Sequence, residues 1–399
     1  MSRLSDFRHG LVRFPSRGLR VPVSQVKNLR LIMPRKAAFA LIFCFSGSLL
    51  FAQEQATKKD SDRVKDTFER AMAQAASATA VSHQVKDVFE RAAKAVVKIH
   101  GVDEHSPICG TGFFIDPTGT LYTAYTVGGE AGNFTIEFGG KKYPARQLLA
   151  DIRSGTAMLK IDAPTPALSI GKSDELEVAT PVIAVGYPLD LPETPNFGMI
   201  AGFDRKYLGR YFSTTHLRVN LPTQRGEAGA PLLNMKGEVV GIVVSSLENN
   251  SACYAVPIEA AEKIRGDFMR FGEARHGWIG INVTMARQPV EGSLAEMKQI
   301  MEDTPAARSG IKSGDILLQV GRKKVTQPED VLDASFFITA GDIVPITVMR
   351  GNQKLTFNVQ ATLHPASRSG VLLASPPGTP AINQQAIPLS LGSDVPPTP

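Results

Sequence analysis

The fold is decided by residues 226–242, which read GEAGAPLLNMKGEVVGI. Gly226, Gly229 and Pro231 mark a tight loop, and the Val-rich run GEVVGIVVS (237–245) that follows is typical of a strand. Ala228 stands at the centre of the loop. Alanine has no hydroxyl or thiol, so no acyl intermediate can form on this side chain. The loop offers backbone amides and no nucleophile at position 228.

Short Val-, Ile- and aromatic-rich runs separated by Gly and Pro extend outward from this loop and predict two small barrels. The first set is AVVKIHG (95–101), TGFFID (111–116), TLYTAY (120–125), NFTIEF (133–138), PARQLLA (144–150) and TAMLKI (156–161). The second set is PVIAVG (181–186), GMIAGF (198–203), HLRVN (216–220), GEVVGIVVS (237–245) and CYAVPI (253–258). We therefore expect a mostly β double barrel of six strands each over residues 95–260, followed by a linker helix at 261–276.

The charge of the chain is unevenly placed. The 399 residues carry a net charge of +6, but residues 1–36 hold nine Lys or Arg and one acid. Without them, 44 − 9 = 35 bases face 38 − 1 = 37 acids, a net charge of −2. Such a balance gives no basic surface for nucleic acid, so no nucleic-acid partner is expected.

The uncharged run AAFALIFCFSGSLLFA (37–52) follows Arg35 and Lys36 and is typical of a secretory signal. We predict a start at Met33, a signal peptide at 33–52 and an over-extended start at 1–32. The chain would then be exported, to the periplasm or the medium; an uncleaved membrane anchor is the alternative. Of the mature cysteines, Cys109 and Cys253 could be bridged or free, and buried free thiols are favoured.

A repeat precedes the barrels. VKDTFERA (64–71) returns as VKDVFERA (85–92), 21 residues later, within a predicted helical arm at 53–94. Apolar residues recur at helical spacing in both copies, which favours an amphipathic helix packed on the following domain. A coiled-coil or oligomerisation arm is the alternative, although two units are few for it.

Five blocks in a fixed order resemble the HtrA (Deg) type of chymotrypsin-like serine protease. They are TGFFIDPTGTLYTAYTV (111–127), DIRSGTAMLKID (151–162), ALSIGKSDELEVATPVIAVGYPLDL (167–191), GEAGAPLLNMKGEVVGI (226–242) and CYAVPI (253–258). The resemblance implies a trypsin-like double barrel with a catalytic triad, and it also shows where that triad is lost. Thr126 aligns with the family's histidine, Gly155 with its aspartate and Ala228 with its serine.

These three substitutions remove the base, the carboxylate that orients it, and the nucleophile. A threonine hydroxyl is far too weak a base to replace imidazole at neutral pH. We expect no catalytic residues; His216, twelve residues before Ala228, is the alternative base. An oxyanion-type cradle needs only the backbone N–H groups of Gly226 and Ala228. Glu227 and Ala230 stand where the family has Asn and Gly, which adds an acidic side chain and a methyl group beside the cradle.

Residues 277–363 resemble an α+β PDZ domain. The matching runs are HGWIGINV (276–283), TPAARSGIKSGDILLQVGRKKV (304–325) and QPEDVLDASFFITAGDIVPITVMRGNQ (327–353). A PDZ groove adds an extended peptide to a sheet edge and holds its terminal carboxylate on loop amides. The resemblance places that loop at Trp278, Ile279, Gly280 and Ile281. Leu332 and Phe336 are candidates to line the groove; the alternative is that both merely pack.

Together these patterns predict an exported HtrA-like pseudoprotease that binds C-termini or extended peptides, as scaffold, chaperone or regulator. Partners would be such segments, an active HtrA-type protease, or further copies of the chain. An active serine-type endopeptidase with relocated residues is the alternative, and a purely structural protein is a third. Cys109, Cys253 and the scattered histidines lack metal-site spacing, so no metal or cofactor is expected. The Pro-rich tail at 364–399 is predicted to be disordered.

Overall fold

The computed structural model describes residues 65–67, 70, 79–102, 107–129, 131–208, 210–247 and 250–363. The predicted start (1–32), signal (33–52) and Pro-rich tail (364–399) lie outside the described residues, as does half of the first repeat copy. The chain divides into two compact units, Met1–Ser77 and Ala78–Pro399. Among the described residues, no helix has the length and hydropathy needed to cross a bilayer.

The second repeat copy lies in a helix, α1 (79–92), whose apolar face is buried against the barrels. Val88 is 0% exposed, and Ala92 lies in the same core cluster as Leu233 and Val239. At the edge of this contact, Arg91 Nη2 donates to the Lys236 carbonyl oxygen (3.3 Å). The second copy therefore packs as an amphipathic helix on the second barrel.

Six antiparallel strands close the first barrel in the order β1-β2-β3-β6-β5-β4. Their bounds are β1 (Val96–Val102), β2 (Pro107–Phe114), β3 (Thr120–Ala124), β4 (Gly132–Phe138), β5 (Lys141–Asp151) and β6 (Thr156–Lys160). One helical turn, α2 (Tyr125–Gly128), follows β3 directly. All six runs predicted in this half form strands, because alternating side chains fill the barrel interior with Ile99, Phe114 and Leu121.

The second barrel closes in the order β10-β11-β12-β9-β8-β7. Its strands are β7 (Pro181–Gly186), β8 (Thr194–Tyr207), β9 (Arg210–Val219), β10 (Pro231–Leu233), β11 (Val239–Ser246) and β12 (Cys253–Pro257). β10 was missing from the sequence prediction, because three residues directly after a loop carry no periodic signal. Cys253 is buried, Cys109 is half-buried, and both thiols are free.

Helix α3 (Ile258–Phe271) leads out of the second barrel. The predicted bounds, 261–276, were too late, because Gly272 adopts a left-handed φ of 76° and ends the helix. Ile258 and Ala261 lie in the cluster between the barrels, and Ala260 and Ile264 in a second cluster with Val256. The helix is therefore part of the barrel core on one face.

The C-terminal domain is a sheet of order β14-β15-β16-β18-β19, with two shorter pairings beside it. Its elements are β13 (Gly277–Trp278), β14 (Ile281–Val290), β15 (Ser293–Ile300), α4 (Pro305–Ser309), β16 (Ile316–Val320), β17 (Lys323–Lys324), α5 (Asp330–Phe336), β18 (Ile343–Arg350), β19 (Gln353–Gln360) and β20 (Thr362–Leu363). Val331, Ala334 and Ile338 pack into the core of this sheet, as their helical spacing predicts. β14 ends the sheet, so one of its edges is open to a further strand.

The docking of α1 can be tested with one substitution at two positions of that helix. Val88→Ala should lower the free energy of unfolding by about 1–3 kcal/mol, since it opens a cavity in the core. Val81→Ala is the matched control: Val81 is 44% exposed, and we expect less than about 0.5 kcal/mol there. Urea unfolding followed by circular dichroism measures both. Equal effects would show that α1 does not pack as described.

Candidate functional site

The three positions aligned with a triad are brought together where the barrels meet. Thr126 lies in α2, Gly155 in the turn between β5 and β6, and Ala228 in the loop before β10. The Tyr125 amide donates to the Gly155 carbonyl oxygen (2.8 Å), and the Thr111 amide donates to the Ala228 carbonyl oxygen (2.9 Å). The backbone of this site is thus tied together across some 100 residues of sequence.

Gly229 makes the approach of the loop to the first barrel possible. Its φ is 89°, and a Cβ there would lie 2.0 Å from the Thr111 carbonyl oxygen and 2.3 Å from Thr123 Oγ1. Any other residue would be strained in this conformation and would clash with backbone. Thr123 Oγ1 in turn donates to that same Thr111 carbonyl oxygen (2.7 Å). Position 228 is therefore pressed against β2 and β3, beside the start of α2.

A second close approach fixes the other end of the loop. Gly226 has a φ of 98°, and a Cβ there would lie 2.3 Å from the Tyr187 carbonyl oxygen. Its own carbonyl oxygen accepts from Thr111 Oγ1 (2.7 Å). Among the described residues, no hydrogen bond uses the amide N–H of Gly226 or of Ala228. Two backbone donors, the ones predicted from the resemblance, are thus free to meet a carbonyl oxygen.

Glu227 lies between these two amides, and its side chain is buried. Its Oε1 accepts from Asn196 Nδ2 (2.6 Å) and its Oε2 from the Gln224 amide (2.6 Å). Burial raises the pKa of this carboxyl, against the lowering effect of those two donors. The carboxylate is therefore engaged by the loop and by β8. Ala230 packs in the core of the second barrel, where its methyl group is accommodated.

The side chains at the three aligned positions carry no group that titrates near neutral pH. Thr126 Oγ1 is buried, and no described residue hydrogen-bonds to it. Gly155 has a φ of 71°, and a Cβ there would be 3.7 Å from Val244 Cγ1 and Val256 Cγ2. Ala228 belongs to an apolar cluster with Ala124 and Val127. The described side chains that cluster with Ala228 are apolar, and the backbone amides beside it can donate to a peptide carbonyl oxygen.

His216, the alternative base, is occupied elsewhere. Its ring stacks on Phe212 (4.0 Å between centroids) and lies edge-on to Tyr254, and Nδ1 is 2.8 Å from the Thr214 carbonyl oxygen. Burial lowers the pKa of His216 to about 4. None of these partners belongs to the loop around Ala228, so the histidine has a structural role in β9.

The structure contains a buried histidine–carboxylate pair that the sequence did not predict. Its carboxylate, Asp151, lies four residues before Gly155. His276 Nε2 is 2.8 Å from Asp151 Oδ1, and both side chains are buried. No described serine or cysteine meets the other ring nitrogen, Nδ1, which has no hydrogen-bond partner among the described residues. The pair is 125 residues apart in sequence, so no local pattern could have revealed it.

The predicted peptide-binding loop lies at the open sheet edge. Gly280 has a φ of 76°, and a Cβ there would be 2.5 Å from Thr304 Cβ. The Ile279 carbonyl oxygen accepts from the Ala306 amide (2.9 Å), and the Ile279 side chain is in the domain core. In the described part of the chain, the amides of Ile279 and Gly280 have no acceptor. Trp278 precedes them in β13, and Ile281 starts the edge strand β14.

The two groove candidates on α5 separate. Leu332 is partly exposed, whereas Phe336 is 0% exposed and packs with Val256, Ala260 and Ile264. The prediction that Phe336 lines the groove was wrong. Both residues lie on one face of α5, but α3 covers the last turn of that helix, where Phe336 lies. The sequence alone does not show that α3 packs there.

Comparison with known proteins matches two parts of the chain. Residues 110–242 match the trypsin-like peptidase domain, and residues 277–361 match the PDZ domain. Relatives named periplasmic serine endoprotease DegP-like are 28% identical, from Halomonas elongata over 288 residues and from Brucella suis over 271 residues. These alignments cover 68% and 64% of this chain and 60% and 53% of the relatives. The chain thus spans little more than half the length of the curated relatives it matches.

Solved structures agree with this domain order. The HtrA-type protease AlgW, in a structure with a tripeptide, superposes with a TM-score of 0.61 at 22% identity, covering 70% of this chain and 97% of that one. A serine endoprotease from Yersinia pestis gives a TM-score of 0.53 at 26% identity, covering 70% and 98%. The first likeness, at this identity, shows the fold alone. The chain therefore contains a trypsin-like peptidase domain followed by a PDZ domain, and it is similar across both to relatives named periplasmic serine endoprotease DegP-like.

Proposed function

We propose that this chain is an exported HtrA-like pseudoprotease that binds extended polypeptide segments and does not cleave them. One observation carries the proposal: the three positions that converge at the barrel junction are Thr126, Gly155 and Ala228. Loss of one member of such a triad costs about 10⁴- to 10⁶-fold in rate, and here all three are absent. The periplasmic names of the relatives support export to that compartment.

The geometry of the unused backbone groups supports the second part of the proposal, that the chain binds extended polypeptide. The unused amides of Gly226 and Ala228 can donate to a main-chain carbonyl oxygen, and those of Ile279 and Gly280 can donate to a terminal carboxylate. The open edge of β14 offers main-chain pairing beside them. We call the surroundings of Thr126, Gly155 and Ala228 the vestigial site. An extended client segment can thus be bound at two places, the PDZ groove and the vestigial site. We propose holding of unfolded clients, or co-assembly with an active HtrA-type protease or with further copies of this chain, as its role.

An active endopeptidase is the second candidate, and the names of the relatives favour it. Peptide hydrolysis and labelling by a serine-directed fluorophosphonate discriminate between the two. We expect neither from the purified chain, with an active HtrA-type protease as positive control. Turnover that the fluorophosphonate abolishes would show that another serine has taken over the chemistry.

Reversion of the site gives a sharper prediction. Ala228→Ser alone should remain inactive, since no imidazole is present to accept the serine proton. The combination Thr126→His, Gly155→Asp and Ala228→Ser should give weak but measurable hydrolysis, because the backbone still brings these positions together. Hydrolysis of an unfolded casein substrate measures both. Full activity of the single variant would mean that the base and carboxylate have been assigned to the wrong positions.

The peptide groove can be tested with one ligand in two forms. A fluorescent decapeptide ending in an apolar residue should bind, and its C-terminal amide should bind about 10- to 100-fold more weakly, because hydrogen bonds to a charged group contribute about 1.5–3 kcal/mol. Fluorescence anisotropy measures both affinities. Equal affinity would exclude carboxylate capture by the loop at Ile279 and Gly280.

Leu332→Glu should weaken binding of the same peptide at least about tenfold, since it would place a charge where we propose that an apolar peptide side chain is bound. Ile343→Glu is the matched control, because Ile343 is 69% exposed in the same domain and away from β14. We expect its affinity to stay within about twofold, as for most exposed substitutions. If both variants bind like the original chain, the groove does not include Leu332.

A further inference from the structure

The PDZ domain is docked on the barrels through polar contacts as well as apolar packing. Asp333 Oδ1 in α5 accepts from Thr214 Oγ1 and from the Thr215 amide of β9, both at 2.7 Å. Arg205 of β8 pairs with Asp330 (2.7 Å), and Thr339 Oγ1 donates to Asp267 of α3 (2.7 Å). We call this set of contacts, together with Phe336 and the pair of His276 and Asp151, the domain junction.

His276 occupies the buried end of the domain junction. It is 6% exposed and starts the PDZ domain, while its partner Asp151 ends β5 of the first barrel. The His276 ring lies 5.6 Å from the Phe336 ring of α5. His276 therefore touches the first barrel and the peptide-binding helix at once, and water has little access to it.

Charged side chains from the elements that pack against His276 surround its ring. Asp151 attracts a proton to the ring, whereas Arg153 of the same turn and Lys263 of α3 repel one. Lys263 is itself paired with Asp267 (2.7 Å), and Asp267 also accepts from the Arg275 amide (3.0 Å). Neutral imidazole fits these surroundings with Nε2–H donating to Asp151. A second proton, on Nδ1, would find no acceptor among the described residues.

We propose that the PDZ domain stays docked on the barrels while His276 is neutral, and that mild acid releases it by protonating this one side chain. The domain junction is then an acid-sensitive latch. Release would free α5, and with it the peptide groove, from its fixed position relative to the vestigial site.

The direction follows from linkage. Burial lowers the pKa of His276 in the docked state, and this outweighs the pull of Asp151, whereas the solvated side chain titrates near 6.5. The released state therefore binds the proton better. Docking is fully favoured above about pH 6.5 and weakens as the pH falls toward the lowered pKa, by up to about tenfold per pH unit for one proton.

Three further titratable groups at or near the domain junction, Asp151, Asp333 and His216, have lowered pKa values. Burial opposes ionisation of Asp151, but hydrogen bonds from His276 and Ser154 lower its pKa to about 2. The Thr215 amide and Thr214 hydroxyl likewise lower the pKa of Asp333. His216, which faces Asp333, Asp204 and Tyr254, has its pKa lowered to about 4. The variant and the NMR titration described below assign the transition to His276.

Trp278, the chain's one tryptophan, lies two residues from His276 and reports on the domain junction. In the purified chain, we expect its fluorescence and the radius of gyration from small-angle scattering to change together and reversibly below pH 6.5. Far-ultraviolet circular dichroism should stay native. His276→Gln keeps a donor for Asp151 and cannot be charged, so it should stay docked down to pH 4.5. His83→Gln is the control, since His83 is exposed on α1, and should release like the original chain.

Titration of the His276 ring by NMR in the unmodified chain provides a second measurement that needs no variant to fold. Its protonation should coincide with the change in radius of gyration. The proposal is overturned if the unmodified chain stays docked at pH 4.5, if His276→Gln releases at the same pH as the unmodified chain, or if the ring titrates without release. Peptide cleavage and peptide binding play no part in either measurement, so the outcome is independent of the proposed function.

Discussion

The close contact of Gly229 with β2 and β3 is the constraint on which the site depends. The backbone of the loop approaches so near to the Thr111 carbonyl that no side chain fits between them. The Ala228 carbonyl accepts from the Thr111 amide on the same strand, so loop and barrel are joined on both sides of the contact. Because α2 follows β3 directly, this one contact also fixes Thr126 relative to Ala228. Hydrogen bonding from Tyr125 to Gly155 completes the arrangement.

This arrangement is made by backbone hydrogen bonds, so it does not depend on which side chains stand at the three positions. The hydrogen bonds that unite the three positions use amides and carbonyls that every residue except proline provides. Alanine at position 228 is compatible with those bonds, and its side chain packs with Ala124 and Val127. Gly155, in a left-handed turn, leaves ordinary van der Waals space where a carboxylate would stand. The fold and the catalytic side chains are therefore physically separable.

The domain junction differs from this site because its contacts are made by side chains. Phe336 contributes apolar packing against α3, while Asp333, Asp267 and Asp151 each accept hydrogen bonds from another element. Buried charges remain favourable only when fully partnered, so a change of protonation at one of them has a large effect. The same residues connect the PDZ helix to both barrels. A ligand in the groove and a proton at His276 would thus act on one set of contacts.

The sequence by itself determined the barrels and the PDZ domain. Strand patterning is local, and Thr126, Gly155 and Ala228 can be placed by short motifs on either side of them. It also indicated that the second repeat copy packs as a helix, from its apolar stripe. Only the tertiary structure decided that Phe336 is covered by α3, that β10 completes the second barrel, and that His276 meets Asp151. These depend on contacts between segments far apart in the chain, and no local periodicity or spacing encodes which distant surface a side chain will meet.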